Sequence, residues 1–149
     1  MSEVLVETLA PEEVVSALLR RLDLGKIEEA TGYFADDFRF KDNGIGLEFR
    51  DKDQLTEFLR RRQEIYPDYF LKTDQMLVSG DHVILQWALR VTLTEPFYAG
   101  LKRRVPISLD GASIVRIDDG KIVEWSDYYD GLTSRRTRLT AHFREWTEY

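Results

Sequence analysis

The stretch "RIDDGKIVEWSDYYD", residues 116–130, contains a tight turn and the most unusual strand of the chain. Asp119-Gly120 is one of the dipeptides that favour a two-residue hairpin turn. Side chains alternate along a strand, so one face of the segment after the turn holds four residues: Val123, Trp125, Asp127 and Tyr129. This face is mostly apolar and is expected to lie towards the core, with Asp127 as the exception.

Asp127 allows two interpretations. A carboxylate on an apolar face must be ion-paired, hydrogen-bonded or protonated. In the structural interpretation it forms a salt bridge with an inward-facing arginine, and Arg90 in "LQWALRVTL" is the candidate. In the functional interpretation Asp127 lies at the wall of a pocket and takes part in chemistry. Structural ion pairs are common, and the sequence leaves both interpretations open.

The segments before this hairpin also have a period of two. Residues 69–96, "YFLKTDQMLVSGDHVILQWALRVTLTEP", predict two long strands joined at Ser79-Gly80-Asp81. Residues 101–117, "LKRRVPISLDGASIVRI", predict a third strand, with a bulge suggested by Gly111. Together with the last strand they predict a four-stranded antiparallel meander.

Helical patterns come earlier in the chain. The first predicted helix lies within "APEEVVSALLRRLDLG", where Pro11 marks the start and Gly25 follows the end. The segment "KIEEATGYF" predicts a second helix, followed by a short strand in "ADDFRFKDNG", and a third helix runs from about Asp51 to Pro67. The tail, residues 134–149, again has helical spacing. The pattern predicts one α+β domain over residues 1–149, with helices on one face of a curved, mainly antiparallel sheet.

Composition removes several classes of function. The chain has 149 residues and a net charge of −6, which suits one globular domain and disfavours nucleic acid as a partner. It has no cysteine and only two histidines, His82 and His142, so a cysteine or histidine metal site is not expected. The first residues, "MSEVLVETLAPEEVV", predict neither a signal peptide nor a membrane span, and hence a cytoplasmic location.

A second carboxylate raises the same question as Asp127. Asp42 ends the short strand beside the turn "DNG", where an aspartate commonly shapes the turn itself. Alternatively it faces Asp127 across a pocket, since two carboxylates in different surroundings are a recurring acid/base arrangement. Asp110 is expected at the sheet edge rather than in a pocket. The basic run Arg60–Arg62 is expected to be solvated at a helix end, where cations suit the helix dipole.

The order of elements, "GYFADDFRFKDNG" after the second helix and "DGKIVEWSDYYD" on the last strand resemble the nuclear transport factor 2-like superfamily. The nearest branches are SnoaL-like polyketide cyclases, limonene-epoxide hydrolases and ketosteroid isomerases. The resemblance covers roughly residues 10–132. It implies a cone-shaped fold with a deep apolar pocket between sheet and helices, and often a homodimer formed through the outer face of the sheet.

The resemblance transfers functional residues only in part. The general-base aspartate of the isomerases falls on Asp42, whereas their oxyanion tyrosine falls on Leu18. The last-strand carboxylate of the epoxide hydrolases falls on Asp127. Their arginine and aspartate of the preceding strand fall near Ala88 and Arg90, and their water-holding tyrosine and asparagine fall at Phe40 and Asp42. Neither named activity is therefore complete.

The sequence and the resemblance together predict a small-molecule enzyme without a cofactor or metal. It would use acid/base aspartates on an apolar polyketide-, steroid- or terpenoid-like ligand, as a cyclase, isomerase or epoxide hydrolase. The candidate catalytic residues are Asp127, Asp42 and Arg90, and the candidate ligand-binding residues are Phe40, Trp87, Trp125 and Tyr129. Whether Asp127 acts as acid or base depends on whether burial or a nearby arginine dominates. The alternative is a non-catalytic ligand-binding or dimerisation module of the same fold.

Overall fold

Three helices and six strands make up the part of the chain that the computed structural model describes, residues 8–96 and 98–131. The helices are α1 (Pro11–Asp23), α2 (Ile27–Thr31) and α3 (Lys52–Ile65). The strands are β1 (Phe34–Asp42), β2 (Leu47–Phe49), β3 (Phe70–Ser79), β4 (His82–Pro96), β5 (Lys102–Asp118) and β6 (Lys121–Tyr129). A short 3₁₀ turn, Tyr98–Gly100, lies between β4 and β5. The helical tail predicted from the sequence, and His142 within it, lie outside the described residues.

The helices begin and end where the local sequence signals place them. Helix α1 starts at Pro11 and has acidic residues in its first turn and basic residues in its last, which suits the helix dipole. At the start of α3 the carboxylate of Asp51 accepts a hydrogen bond from the backbone N–H of Gln54 at 2.9 Å. Helix α2 is shorter than predicted, because the chain leaves the helix at Gly32 and enters β1 at Phe34.

The six strands form one curved, unclosed sheet in the order β2-β1-β6-β5-β4-β3. All neighbouring strands are antiparallel except β1 and β6, which are parallel. The predicted α+β class and the meander β3 to β6 are confirmed. Strand β2, with only three residues, was not predicted, since so short a segment carries no measurable alternation.

A β-bulge in β6 decides which side chains face inwards. At the Asp119-Gly120 turn, Ile117 pairs with Ile122, but the next pair on the same strands is Arg116 with Glu124. Val123 is therefore the extra residue of the bulge. The prediction that Val123 shares the inward face is thus wrong: Val123 is only partly buried, whereas its neighbour Ile122 is fully buried. Beyond the bulge the predicted inward face is restored.

The core lies between the helices and one face of the sheet. Helix α1 packs against β3 and β4, and α3 packs against β1 and β2. Inward-facing side chains of β4 and β5 are buried at alternate positions, as one covered face requires. Among the described helices, none is both long and apolar enough to cross a membrane.

Candidate active site

A cavity of about 800 Å³ lies between the helices and the inner face of the sheet. Inward-facing residues of β1, β4, β5 and β6 line it on the sheet side, and residues from the end of α3 and the start of β3 also belong to its lining. Most lining side chains are aliphatic or aromatic, and Asp42 and Asp127 both belong to the wall. A cavity of this size suits a small organic ligand.

Asp127 is held by hydrogen bonds to only one of its two carboxylate oxygens. The hydroxyl of Ser113 donates to Oδ1 at 2.5 Å, and the indole Nε1 of Trp125 donates to the same oxygen at 2.7 Å. Among the described residues, none donates a hydrogen bond to Oδ2. Burial raises the pKa of Asp127 to about 6, since it outweighs the two hydrogen bonds, which lower the pKa.

The backbone at Asp127 is also fixed. Asn43, in the turn after β1, donates to the carbonyl oxygen of Asp127 from its backbone N–H and from its side-chain amide, each at 3.0 Å. These bonds tie the end of β1 to β6 and complete the parallel ladder between the two strands. The position of the Asp127 carboxylate is therefore determined by main-chain pairing on both sides.

Asp42 is the neighbour of Asp127 on the adjacent strand. The two residues are register partners in the parallel β1–β6 pair, so their Cα atoms are about 4.8 Å apart. The Oδ1 atom of Asp42 accepts hydrogen bonds from the backbone N–H groups of Gly44 and Ile45 at 3.0 and 3.2 Å. Asp42 therefore shapes the turn and also lines the cavity, so the two interpretations are not exclusive.

Tyr129 connects Asp42 to the aromatic wall. Burial raises the pKa of its phenol strongly, and its hydrogen bond with Asp42 acts in the same direction. Its ring lies 5.9 Å from that of Trp87, centroid to centroid, and fits against Gly44, where any Cβ would collide with the ring. Gly44 is therefore needed for the observed position of Tyr129.

The four predicted wall residues all line the cavity: Phe40, Trp87, Trp125 and Tyr129. The rings of Phe40 and Trp125 are stacked with centroids 6.5 Å apart. Trp87 lies on the inner face and is 3% exposed.

Arg90 does not take the place expected for it. It is exposed and lies on the outer face of the sheet, because it is an odd number of residues from the buried Trp87 on the same strand. The structural interpretation of Asp127, a salt bridge with Arg90, is therefore wrong. Asp110, by contrast, is exposed and outside the cavity lining, as expected.

Arg62 is the arginine whose charge affects the pKa of Asp127 and of Tyr69. It lies in the last turn of α3, lines the cavity, and its guanidinium carbon is 4.1 Å from the centroid of the Tyr69 ring. Its charge lowers the pKa of both Asp127 and Tyr69, although burial dominates and raises both. The prediction that the run Arg60–Arg62 is simply solvated is wrong for Arg62.

Ser113, Arg62 and Asn43 were not identified from the sequence. Ser113 lies directly opposite Asp127 on β5, a pairing that depends on the bulge at Val123. Arg62 carried no signal that separated it from its solvated neighbours. The residues 8–96 and 98–131 contain no group of three or more acidic or histidine side chains placed to hold a metal ion.

Fold and cavity together define a class of α+β proteins in which helices close over a curved sheet and enclose a cavity. The family model described as a SnoaL-like domain matches residues 15–125, and the chain belongs to this family. No curated protein matches the sequence.

Solved structures of the same fold span the three branches named from the sequence. A protein from Shewanella putrefaciens assigned as a SnoaL-like polyketide cyclase is 12% identical, with a TM-score of 0.75 and coverage of 90% of this chain and 99% of that one. An LEH-like epoxide hydrolase of M. tuberculosis is 18% identical, with a TM-score of 0.70 and coverage of 93% and 96%. A protein of ketosteroid isomerase-like fold from Catenulispora acidiphila, in complex with trimethylamine, is 20% identical, with a TM-score of 0.66 and coverage of 78% and 85%.

These similarities confirm the nuclear transport factor 2-like fold inferred from the sequence. At such identities they establish the fold and not the reaction. The chemistry of this chain must therefore be argued from its own cavity.

Proposed function

We propose that the protein is an enzyme that transfers a proton to and from an apolar ligand, with Asp127 as the catalytic group. The supporting observation is the asymmetry of this carboxylate. Its Oδ1 accepts two hydrogen bonds, while Oδ2 accepts none from the described residues and the side chain lines an apolar cavity. A carboxyl with a pKa of about 6 suits proton transfer near neutral pH.

The reaction that fits best is proton abstraction from a carbon next to a carbonyl group. At pH 7 about nine-tenths of a group with a pKa of 6 is ionised, so Asp127 acts as the base. The C–H proton passes to Oδ2, and the electron pair of the C–H bond moves to form an enolate. Where a C=C bond is conjugated with the enolate, return of the same proton to the far carbon of that bond completes an isomerisation. Attack of the enolate on a second carbonyl forms a C–C bond and an alkoxide, which takes the proton back from Asp127 to complete a cyclisation.

Two other groups have supporting roles in this proposal. Asp42 raises the pKa of Asp127 by its negative charge and holds the Tyr129 hydroxyl. Arg62 is a cation of the cavity wall whose charge acts on Asp127, and it would attract the developing negative charge of an enolate. Arg90, on the outer face, has no role in the proposed reaction.

The ligand is proposed to be a ring compound of polyketide, steroid or terpenoid type, because the wall is dominated by aromatic and aliphatic side chains. No cofactor enters the proposed reaction. Epoxide opening is the competing reaction, and it would require Asp127 in its protonated form. The two reactions have opposite pH profiles: enolisation increases as the pH rises through 6, and epoxide protonation decreases.

A non-catalytic binding protein is the second candidate. The neighbour that holds trimethylamine, and the use of the Asp42 carboxylate as a turn acceptor, favour this alternative. Aromatic walls beside carboxylates suit an organic cation. Such a protein would bind its ligand without exchanging any of the ligand's protons.

Deuterium exchange separates the two candidates. The protein is incubated in D₂O with a panel of cyclic and polycyclic ketones, and deuterium incorporation next to the carbonyl is followed by mass spectrometry. We expect exchange with wild-type protein, none above background with Asp127→Asn, and unchanged exchange with Arg90→Gln. Binding of panel members without exchange would favour the binding protein, and equal exchange in Asp127→Asn would exclude Asp127 as the base.

Assembly and location are also proposals. The outer face of the sheet carries an apolar cross-strand row of Leu77, Ile84 and Ile114, each 38–51% exposed. We propose that a second copy covers this row, giving a homodimer in the cytoplasm. Light scattering at micromolar concentration should give twice the chain mass of 17.5 kDa, and Ile84→Asp should give the single mass. A wild-type monomer would contradict the dimer.

A further inference from the structure

A chain of hydrogen bonds reaches Asp127 from two tryptophans. The indole Nε1 of Trp87 donates to Ser113 Oγ at 2.9 Å, and Ser113 Oγ donates to Asp127 Oδ1 at 2.5 Å. From the other side, Trp125 Nε1 donates to the same Oδ1 at 2.7 Å. Ser113 is 1% exposed and Trp87 is 3% exposed, so water does not compete for these bonds.

The direction of each bond follows from the chemistry of the donors. An indole N–H can only donate, whereas a serine hydroxyl has one proton to donate and lone pairs to accept. Ser113 Oγ accepts the hydrogen bond from the indole N–H of Trp87. Its own single proton therefore points away from Trp87, towards Asp127. Oδ1 thus receives two donors, and a proton placed on Oδ1 would oppose both.

We propose that Ser113 is a positioning residue that confines the exchangeable proton of Asp127 to Oδ2, the oxygen left for the ligand. The importance of Ser113 for turnover rests on the proposed function. Its effect on the pKa of Asp127 can be measured without it. Ser113 touches no reacting atom. It acts by making one oxygen of the carboxylate a fixed acceptor and leaving the other as the one site of proton transfer.

The sequence provides the space that this arrangement needs. Trp87 on β4 lies directly opposite Gly111 on β5, and its indole extends over Gly111 to reach Ser113. A Cβ at position 111 would be 2.4 Å from the Trp87 ring. Gly111 therefore serves the position of the indole and not a bulge, since the β4–β5 register is continuous at this point.

Removal of the Ser113 hydroxyl should change the acidity of Asp127. The bond from Ser113 lowers the pKa of Asp127, so Ser113→Ala is expected to raise the pKa by about one pH unit. With only one donor left on Oδ1, the proton is also free to occupy either oxygen.

The measurement is a ¹³C NMR titration of aspartate-labelled protein without ligand, with the Asp127 carboxyl signal assigned by its loss in Asp127→Asn. Ser113→Thr keeps a hydroxyl and should retain the wild-type pKa. Ser108→Ala removes an exposed hydroxyl from the same strand and should have no effect. An unchanged Asp127 pKa in Ser113→Ala, or an equal rise in Ser113→Thr, would overturn the proposal.

Gly111→Ala gives an independent test that leaves Ser113 in place. It displaces the Trp87 indole and frees the Ser113 hydroxyl to rotate, so the pKa of Asp127 should rise, but less than in Ser113→Ala. If the pKa of Asp127 rose in neither variant, the proposed role of the hydrogen-bond chain from Trp87 through Ser113 would be contradicted. If the pKa values shift as expected and wild-type protein exchanges no ketone proton, the positioning role is retained and the proposed function fails.

Discussion

Asp42 and Asp127 are register partners on adjacent strands, yet their different surroundings give them different roles. Asp42 ends its strand and accepts backbone N–H groups of the following turn. Asp127 lies within the wall, accepts side-chain donors on one oxygen, and has a pKa raised to about 6 by burial. The comparison teaches that two carboxylates at the same level of the sheet can differ in function: burial raises the pKa of Asp127, and its side-chain donors occupy only one oxygen, whereas backbone donors use Asp42 to shape a turn.

The largest expected difference between the two carboxylates is in catalysis. Asp127→Asn should reduce the rate of ketone proton exchange by about 10²–10⁴-fold, because it removes the base and keeps the shape. Asp42→Asn should reduce the rate by less than about tenfold, since it changes only a neighbouring charge. Both are measured by deuterium incorporation. Equal losses of exchange rate in the two variants would show that Asp42 and Asp127 do not differ in their catalytic roles.

The pH dependence of folding should show the same contrast. Asp127 has a pKa near 3.8 when unfolded and about 6 when folded, so between these values the folded state binds more protons. Its contribution to the free energy of unfolding is therefore about 3 kcal/mol well below the unfolded pKa, falls by about 2 kcal/mol as the pH rises from 4 to 6, and has almost disappeared by about pH 7.

Denaturant titrations of wild type and Asp127→Asn at pH 4 and pH 7 measure this contribution as a difference. The free energy of unfolding of wild type should decrease relative to the variant as the pH rises. Parallel changes in the two proteins would show that Asp127 has an ordinary pKa.

Asp42 should matter more for the turn than for the charge. Asp42→Asn keeps an oxygen that can accept from Gly44 and Ile45, whereas Asp42→Ala removes it. We expect Asp42→Ala to lower the free energy of unfolding by about 1 kcal/mol and Asp42→Asn by less. Thermal and denaturant unfolding check this, and an equal loss in both variants would show that the charge and not the acceptor stabilises the turn.

The smallest expected effect concerns the two arginines. Arg62→Gln should raise the pKa of Asp127 by roughly a few tenths of a pH unit, because the charge of Arg62 lowers that pKa. Arg90→Gln removes the same charge from the outer face and should leave the pKa unchanged. The carboxyl titration described for Ser113 measures the pKa of Asp127 in both variants. A larger shift in Arg90→Gln than in Arg62→Gln would show that Arg90, and not Arg62, is the arginine that acts on Asp127.

Local patterns were sufficient to predict the α+β class, the three helices and the meander β3 to β6, because each of these hairpins and helices carries its own turn or end signal; they did not predict β2 or the parallel pairing of β1 with β6. Strand alternation also identified Asp127 as the one carboxylate in an apolar row. The same alternation could have excluded Arg90, since Trp87 and Arg90 are three residues apart on one strand and must face opposite ways.

The partner of Asp127 could not be predicted in this way. Without a bulge, a two-residue turn at Asp119-Gly120 pairs Asp127 with Ala112, not with Ser113. The observed pairing of Asp127 with Ser113 depends on the bulge at Val123, and valine at that position does not predict a bulge. Arg62 likewise depends on where the end of α3 lies over the sheet, which is a matter of packing rather than of local sequence.

The bulge at Val123 gives one hairpin arm a residue that the strand pairing does not need. If Val123 were deleted, Ile122 and Glu124 would become neighbours and keep their partners Ile117 and Arg116, so Trp125 and Asp127 would stay on the inner face. Deletion of a second residue, Glu124, would rotate the rest of the arm by one position and move Trp125 and Asp127 to the outer face. A protein engineer could thus shorten this arm by one codon without changing which side chains form the wall, but not by two.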